Sequence, residues 1–213
     1  MINDTTMLAP DTRFAEQATD GRIQRAADAL EANGMKVQVA ENGDEARRMF
    51  FELVPEGSEV FLGASVTLEA LGIKETIDKS GQYDAVRPKL FAMDRATQAR
   101  EIRKLGGAPD YAAGSVQAVT ENGQVLIASK SGSQLGPYAS GAGKVIWIAG
   151  AQKIVRDVDE GLRRIAEYCV PREEEHMQEL YNSSTYPGKI LIVQREFRPG
   201  RITIIIVKEP LGF

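Results

Sequence analysis

The apolar positions of this chain keep two rhythms, one of three to four residues and one of short unbroken runs, and the two alternate. Asp11 to Gly34 reads as one long helix: Phe14, Ala18, Ile23, Ala26, Ala27 and Leu30 recur at roughly helical spacing, and Gly34 supplies a C-terminal stop. Met35 to Ala40 (MKVQVA) alternates and predicts a strand. Asn42-Gly43-Asp44 turns and caps a helix over Glu45 to Leu53, punctuated by Pro55 and Gly57. Glu59 to Leu62 predicts a second strand, and residues 63–73 (GASVTLEALGI) a strand end, a turn of small residues and a helix. Residues 74–92 are mixed and polar, and Asp94 to Leu105 is a charged helix ending at Gly106-Gly107-Ala108-Pro109.

The stretch from Asp110 to Val155 organises the rest. Ala113 to Thr120 reads as one strand, Glu121-Asn122-Gly123 as a tight hairpin turn, and Gln124 to Ser129 as the returning strand. Ser131 to Gly143 is a glycine-rich loop. Val145 to Ala149 is apolar on both faces and ends at Gly150, the pattern of a strand buried in a parallel sheet. Asp157 to Val170 is an amphipathic helix stopped by Pro171, and Arg172 to Tyr181 a short charged helix. Lys189 to Val193 and Ile202 to Val207 flank Arg198-Pro199-Gly200-Arg201 and read as a hairpin, or as two adjacent strands of one sheet. Strands alternating with helices up to about residue 150 define an α/β domain over residues 11–213, after a loose tail at 1–10.

Chemistry in such a sheet belongs beyond the carboxyl ends of its strands. Gly63, Ser65 and Thr67 combine close backbone approach with two hydroxyls, a cradle for a phosphate or carboxylate. Packing and capping by small residues is the plainer account, and neither a Walker loop nor a GxGxxG fingerprint is present. Ser131, Ser133, Gln134 and Gly136 place donors and acceptors on the long loop, where ligand contact is expected. Lys153, just after the buried strand, is the strongest charged candidate. It can pair with an anionic substrate, or act as a general acid or Schiff-base amine if burial lowers its pKa; pairing with Asp157 is the alternative. Glu121 is a second catalytic candidate, a carboxylate at a site mouth; a plain hairpin turn with a solvated glutamate is the alternative, since turns of this composition are common. Glu173 and His176 have a Glu-x-x-His spacing, but no further ligands converge on it; a solvated helix face and no metal site are expected. Cys169 reads as a small buried hydrophobe and Trp147 as core.

Composition narrows the classes. A net charge of −4 argues against a dedicated nucleic-acid binder. No apolar run approaches the roughly 20 residues that span a bilayer, and the N-terminus lacks the pattern of a signal peptide. A single cysteine, Cys169, excludes an intrachain disulfide and an iron–sulfur cluster held by this chain's cysteines alone, and a cytoplasmic location is expected.

Four stretches in order resemble the LUD domain family, of the lactate utilization protein C type: GASVTLEALGI at 63–73, DYAAGSVQAVTENGQVLIAS at 110–129, KVIWIAGAQKIVRDVDEGLRRI at 144–165 and EPLGF at 209–213. The resemblance implies the NagB/RpiA/CoA transferase-like fold, a three-layer α/β sandwich with a mainly parallel Rossmann-like sheet, a β-hairpin insertion and closing C-terminal strands. It also implies a place in bacterial lactate or organic-acid utilization beside iron–sulfur oxidoreductase subunits. Many relatives carry Gly-Asn-Arg in the loop before the buried strand; here SGSQLGPYASGAG at 131–143 lacks the arginine, and no ligand chemistry carries over there.

Three readings stay open. One is a protein that binds a small anionic metabolite between Gly63–Thr67, the 131–143 loop and Lys153, with no cofactor bound by this chain and redox chemistry left to partners. Another is a stand-alone sugar-phosphate isomerase or CoA- or acyl-transferring enzyme of the same fold, with Glu121 moving protons. The third is a non-catalytic assembly subunit, a homo-oligomer included, pairing through the apolar strands at 189–207.

Overall fold

The computed structural model describes residues 9–213; the expected tail therefore lies almost wholly outside the described residues. In chain order the elements are α1 (Asp20–Ala32), β1 (Lys36–Ala40), α2 (Gly43–Leu53), β2 (Glu59–Leu62), α3 (Val66–Ala70), α4 (Ile73–Lys79), β3 (Asp84–Ala85), α5 (Val86–Ala92) and α6 (Ala99–Gly107). Then come β4 (Tyr111–Gly114), β5 (Ala118–Thr120), β6 (Val125–Ser129), β7 (Lys144–Gly150), β8 (Ile154–Val155), α7 (Val158–Arg164), α8 (Val170–Tyr181), β9 (Lys189–Val193) and β10 (Ile202–Val207).

Six strands form a parallel sheet in the order β1-β10-β7-β4-β2-β3. Strands β10 and β7, both interior to the sheet, are apolar apart from Thr203 and Lys144, because alternate residues enter different cores. Val145, Trp147, Ala149, Ile202, Ile204 and Ile206 pack toward α1, with Ile23, Ala26 and Leu30. Ile146, Ile148, Ile205 and Val207 pack on the opposite face against Phe50 of α2, Leu68 of α3 and Ile77 of α4. The result is a three-layer α/β sandwich, as the resemblance implies. A second sheet, β8-β5-β6-β9, holds the β5–β6 hairpin and shares the core on the α1 side through Val119, Val125 and Ile127.

Four sequence expectations are corrected. The helix expected over Asp11–Gly34 is a 3-10 turn, Thr12–Ala15, followed by α1; Thr19 is extended at the N-cap position, and the apolar stripe on α1 begins only at Ile23. The single strand expected over Ala113–Thr120 is two, one in each sheet. Side chains replace ladder bonds where the chain crosses: Ser115 Oγ donates to Ile148 O (2.7 Å), and Gln117 Oε1 accepts from Ala128 N (2.8 Å).

The closing strands are neither a hairpin nor neighbours. β10 is inserted between β1 and β7, whereas β9 pairs antiparallel with β6 at the edge of the second sheet. β10 is buried along its whole length and β9 half exposed, which fits a sheet centre and a sheet edge. Finally, Pro171 does not stop a helix. The chain runs from α7 through a π-type turn, Ile165–Cys169, straight into α8. Proline cannot give the N–H that would bond the carbonyl four residues back. That carbonyl, Glu167 O, accepts instead from Asp11 N (2.9 Å).

Candidate functional site

β2, β4 and β7 lie side by side and parallel, so their carboxyl ends open on one place. Each contributes the residues that follow it: Gly63 to Thr67 after β2, Ser115 after β4, and Lys153 in a 3-10 turn (Ala151–Lys153) after β7. The loop 131–143 closes one side, with a π-type turn at Pro137–Gly141, and the π-type turn at Ile165–Cys169 closes another. Together they bound a cavity of about 700 Å³.

The cavity floor is built by close contacts. Tyr138 crosses the ends of β2 and β4 and donates its hydroxyl to Ala113 O (3.1 Å). A Cβ on Gly63 would lie 2.6 Å from that hydroxyl, so only glycine fits beneath it. Burial raises the Tyr138 phenol above its ordinary pKa, and it stays neutral. Ser65 caps α3, its Oγ accepting from Leu68 N (3.2 Å).

Lys153 is 1% exposed. Its Nζ donates to Ser115 Oγ (2.9 Å) and Thr67 Oγ1 (3.2 Å). Among the described residues no carboxylate pairs with it; Asp157, the expected partner, caps α7 by accepting from Glu160 N (2.9 Å). Burial first, then repulsion from the Arg164 guanidinium, lowers the ammonium to about 7, against an opposing effect of Cys169.

Arg164 is wholly buried. Its Nη1 bonds Gln117 O and Cys169 Sγ (2.9 Å), its guanidinium lies over the Tyr168 ring at 5.1 Å, and Nε and Nη2 find no partner among the described residues. Cys169 is buried, as expected, and lines the cavity; burial pushes its thiol up, opposed by Arg164 and Lys153. Arg164 thus lies behind the cavity wall, short of acceptors, while Lys153 reaches the cavity itself. Arg87, Arg95, Arg103 and Lys130 line the outer part. Glu173 also lines the cavity, and burial raises its pKa, with His176 opposing and Glu69 adding.

Seven of the residues singled out in the sequence line this cavity: Gly63, Ser65, Thr67, Ser131, Ser133, Gln134 and Lys153. On the loop, Ser129 Oγ donates to Gln134 Oε1 (2.9 Å), and Ser131 Oγ to Ser133 Oγ (3.3 Å). Gly136 is exposed and does not line it. Glu121 is not brought there either. Its carboxylate accepts from Arg22 Nε (2.6 Å) and Arg25 Nε (2.8 Å) of α1. Burial alone would raise its pKa, but the two arginines outweigh that and hold it below the usual range. Glu121→Gln is expected to cost about 1 kcal/mol of stability in a urea melt and to leave ligand affinity unchanged; a lost ligand response would give Glu121 a role at the cavity.

Sequence reasoning missed Ser115, Arg164 and the outer arginines, and Glu173, expected on a solvated helix face, lines the cavity instead. Ser115 had a signal, a small polar residue directly after the apolar YAAG strand; Arg87, Arg95 and Arg103 lie between the stretches at 63–73 and 110–129, and Arg164 sits on an amphipathic helix, with nothing local to mark any of them. Among the described residues no three His, Cys, Asp or Glu side chains gather to hold a metal ion, and no helix is long and apolar enough to cross a membrane. The C-terminal segment seals one wall: Gln152 Nε2 donates to Leu211 O and Gly212 O (3.0 Å each), and the Phe213 side chain lines the cavity.

The topology and the cleft beyond adjacent strand ends define a parallel α/β sandwich of the open-sheet class. The LUD domain model matches residues 23–207, and the chain belongs to the LUD domain family. It is similar in fold to the crystal structure of a DUF162 family protein from Deinococcus radiodurans, with a TM-score of 0.54 at 11% identity, over 90% of this chain and 99% of that one. Among curated proteins none matches the chain.

Proposed function

We propose that this LUD-domain protein binds a small organic anion in the cleft beyond β2, β4 and β7, in the service of lactate or related organic-acid utilization. The observation that carries the reading is a buried lysine lining a cavity, whose amine forms an ion pair with no carboxylate among the described residues. A buried cation without a counter-charge is costly, and an anion seated against Nζ supplies one. Thr67 and Ser115 hold the amine in place, and the arginines of the outer cavity draw negative charge inward. The protein's place beside iron–sulfur subunits rests on the family resemblance and on the single cysteine, which leaves redox chemistry to partners.

The test is a thermal-shift screen with lactate, pyruvate, sugar phosphates and coenzyme A. At a hundred-fold excess over Kd a native-state ligand adds about 2.7 kcal/mol of stability. A shift with lactate or pyruvate that disappears in Lys153→Met is the expected result. Oxidation of lactate by the isolated chain would overturn the division of labour with partners. A second reading, a phosphorylated or CoA-type substrate, is favoured by one observation: a cavity of about 700 Å³ lined by four further basic side chains is larger than a three-carbon acid needs. A shift with those ligands alone selects it.

A further inference from the structure

The hydrogen bonds around Lys153 fix more than its position. Ser115 Oγ gives its own proton to Ile148 O (2.7 Å), and Thr67 Oγ1 has Leu211 O (3.2 Å) and Ser115 Oγ (3.3 Å) as acceptors for its proton. Toward the amine both hydroxyl oxygens are therefore acceptors, and Nζ spends two N–H groups on them. A neutral amine has only two. Its lone pair then takes the remaining direction on nitrogen, where no hydrogen-bond partner is found among the described residues. The side chain lines the cavity, and the charged groups that reach it are Arg164, which disfavours an ammonium, and the thiol of Cys169, buried and without a strong acceptor's charge.

We infer that Lys153 is a nucleophile, and that the anion this cavity takes bears an aldehyde or ketone carbonyl that forms a reversible imine with Nζ. The inference rests on the anion-binding reading and names the chemical class of its ligand. The Nζ lone pair attacks the carbonyl carbon; a C–N bond forms and the C=O π pair moves to oxygen. One N–H proton passes to that oxygen, giving a neutral carbinolamine. Glu173, in the same cavity with its pKa raised by burial, supplies the second proton. Water leaves, the nitrogen lone pair closes the C=N bond, and the products are a protonated imine on Nζ and the Glu173 carboxylate. Nothing is oxidised or reduced, and water returning along the same path releases the ligand. Titration near neutrality supports the assignment, since the amine is then substantially neutral at pH about 7 whereas an ordinary lysine is almost entirely charged.

The experiment uses the full chain with pyruvate, glyoxylate or glyceraldehyde 3-phosphate, reduction by borohydride, and peptide mapping by mass spectrometry. Pyruvate is expected to leave an N-(1-carboxyethyl) group on Lys153, about tenfold or more above any exposed lysine, given the difference in neutral fraction. Lactate, which has no aldehyde or ketone carbonyl, is expected to suppress the labelling by competition and to leave no adduct. The mapping is read on the wild-type chain and needs no variant to fold; Lys153→Met, checked by circular dichroism, should lose the adduct. A carbonyl compound that raises the melting temperature without labelling Lys153 overturns the imine and leaves anion binding standing. Neither a shift nor an adduct overturns both. Labelling spread over surface lysines, with Lys153 no higher, overturns the imine.

Discussion

Arg201→Leu is expected to destabilise the protein by about 3–5 kcal/mol, the usual cost of orphaning a buried ion-pair partner. The Arg201 and Glu196 side chains are 5% and 7% exposed, and Arg201 Nε meets Glu196 Oε2 at 2.7 Å. The rest of the guanidinium serves the glycine-rich loop: Nη2 donates to Tyr138 O (2.8 Å) and Ala139 O (3.1 Å), and Nη1 to Ala142 O (3.4 Å). Those carbonyls belong to the π-type turn and the residue after it, and Gly143 N, which a continued turn would aim at Tyr138 O, is already given to Pro109 O (3.1 Å). One side chain therefore holds the closing strand β10, the buried carboxylate and the cavity wall together. Urea melts should show the loss, and the double variant Arg201→Leu/Glu196→Leu should recover part of it, because no charge is then left buried alone. Arg201→Lys keeps the charge without the planar fork and should fall between. The single variant should also bind ligand more weakly, since Tyr138 loses its backbone anchor. A double variant no more stable than the single one would show that the pair is not coupled.

The same arginine shows where a sequence stops being informative. Arg198-Pro199-Gly200-Arg201 has the composition of a turn, and nothing local distinguishes Arg201 from Arg198; its partners Tyr138 and Ala142 are about sixty residues away. Lys153 was legible for the opposite reason. An unbroken apolar run such as Val145–Ala149 belongs in a parallel sheet, and the residues after such a strand face the ligand side. Gly63, Ser65 and Thr67 were legible by the same rule. Ser115 sits by that rule too, but the small apolar pattern of Ala112 to Thr120 runs on through the change of sheet, so the end of β4 is hidden. Glu121 misled because a turn between two strands has no preferred partner in sequence. In the fold the turn docks on α1, with Asn33 Nδ2 donating to Asn122 O (3.0 Å) and Gly123 O (2.9 Å) and two arginines on the carboxylate. Pro171 misled through its strongest local rule, since the missing N–H is compensated by Asp11, a residue 160 positions earlier.

Lys153→Met is expected to make the protein more stable below neutral pH and to erase the advantage as the pH rises. The folded pKa is about 7 against an ordinary value of 10.5. Below about pH 7 both states hold the proton, and folding bears the full cost of burying the ammonium. Between about pH 7 and pH 10.5 the unfolded chain holds a proton that the folded chain has lost, so wild-type stability climbs relative to the variant by up to about 1.4 kcal/mol per pH unit. The whole penalty is on the order of 4–5 kcal/mol on that conversion. Methionine nearly matches the side chain in volume but gives up two hydrogen bonds, worth about 1 kcal/mol each, which leaves a net gain of roughly 2–3 kcal/mol at about pH 6. Other groups that face the amine do not confuse the comparison. Arg164 holds its proton throughout, and burial raises the Cys169 thiol and the Glu173 carboxyl in both proteins, so their titrations largely cancel in the difference between wild type and variant. The measurement is a pair of urea melts at about pH 6, 7, 8 and 9, read as the difference between the two proteins. A difference that shrinks by about 2–3 kcal/mol from pH 7 to 9 places a neutral amine in the cavity at working pH. A flat difference would mean that Lys153 keeps one protonation state throughout, and the amine could not then serve both as the anion's counter-charge and as the nucleophile.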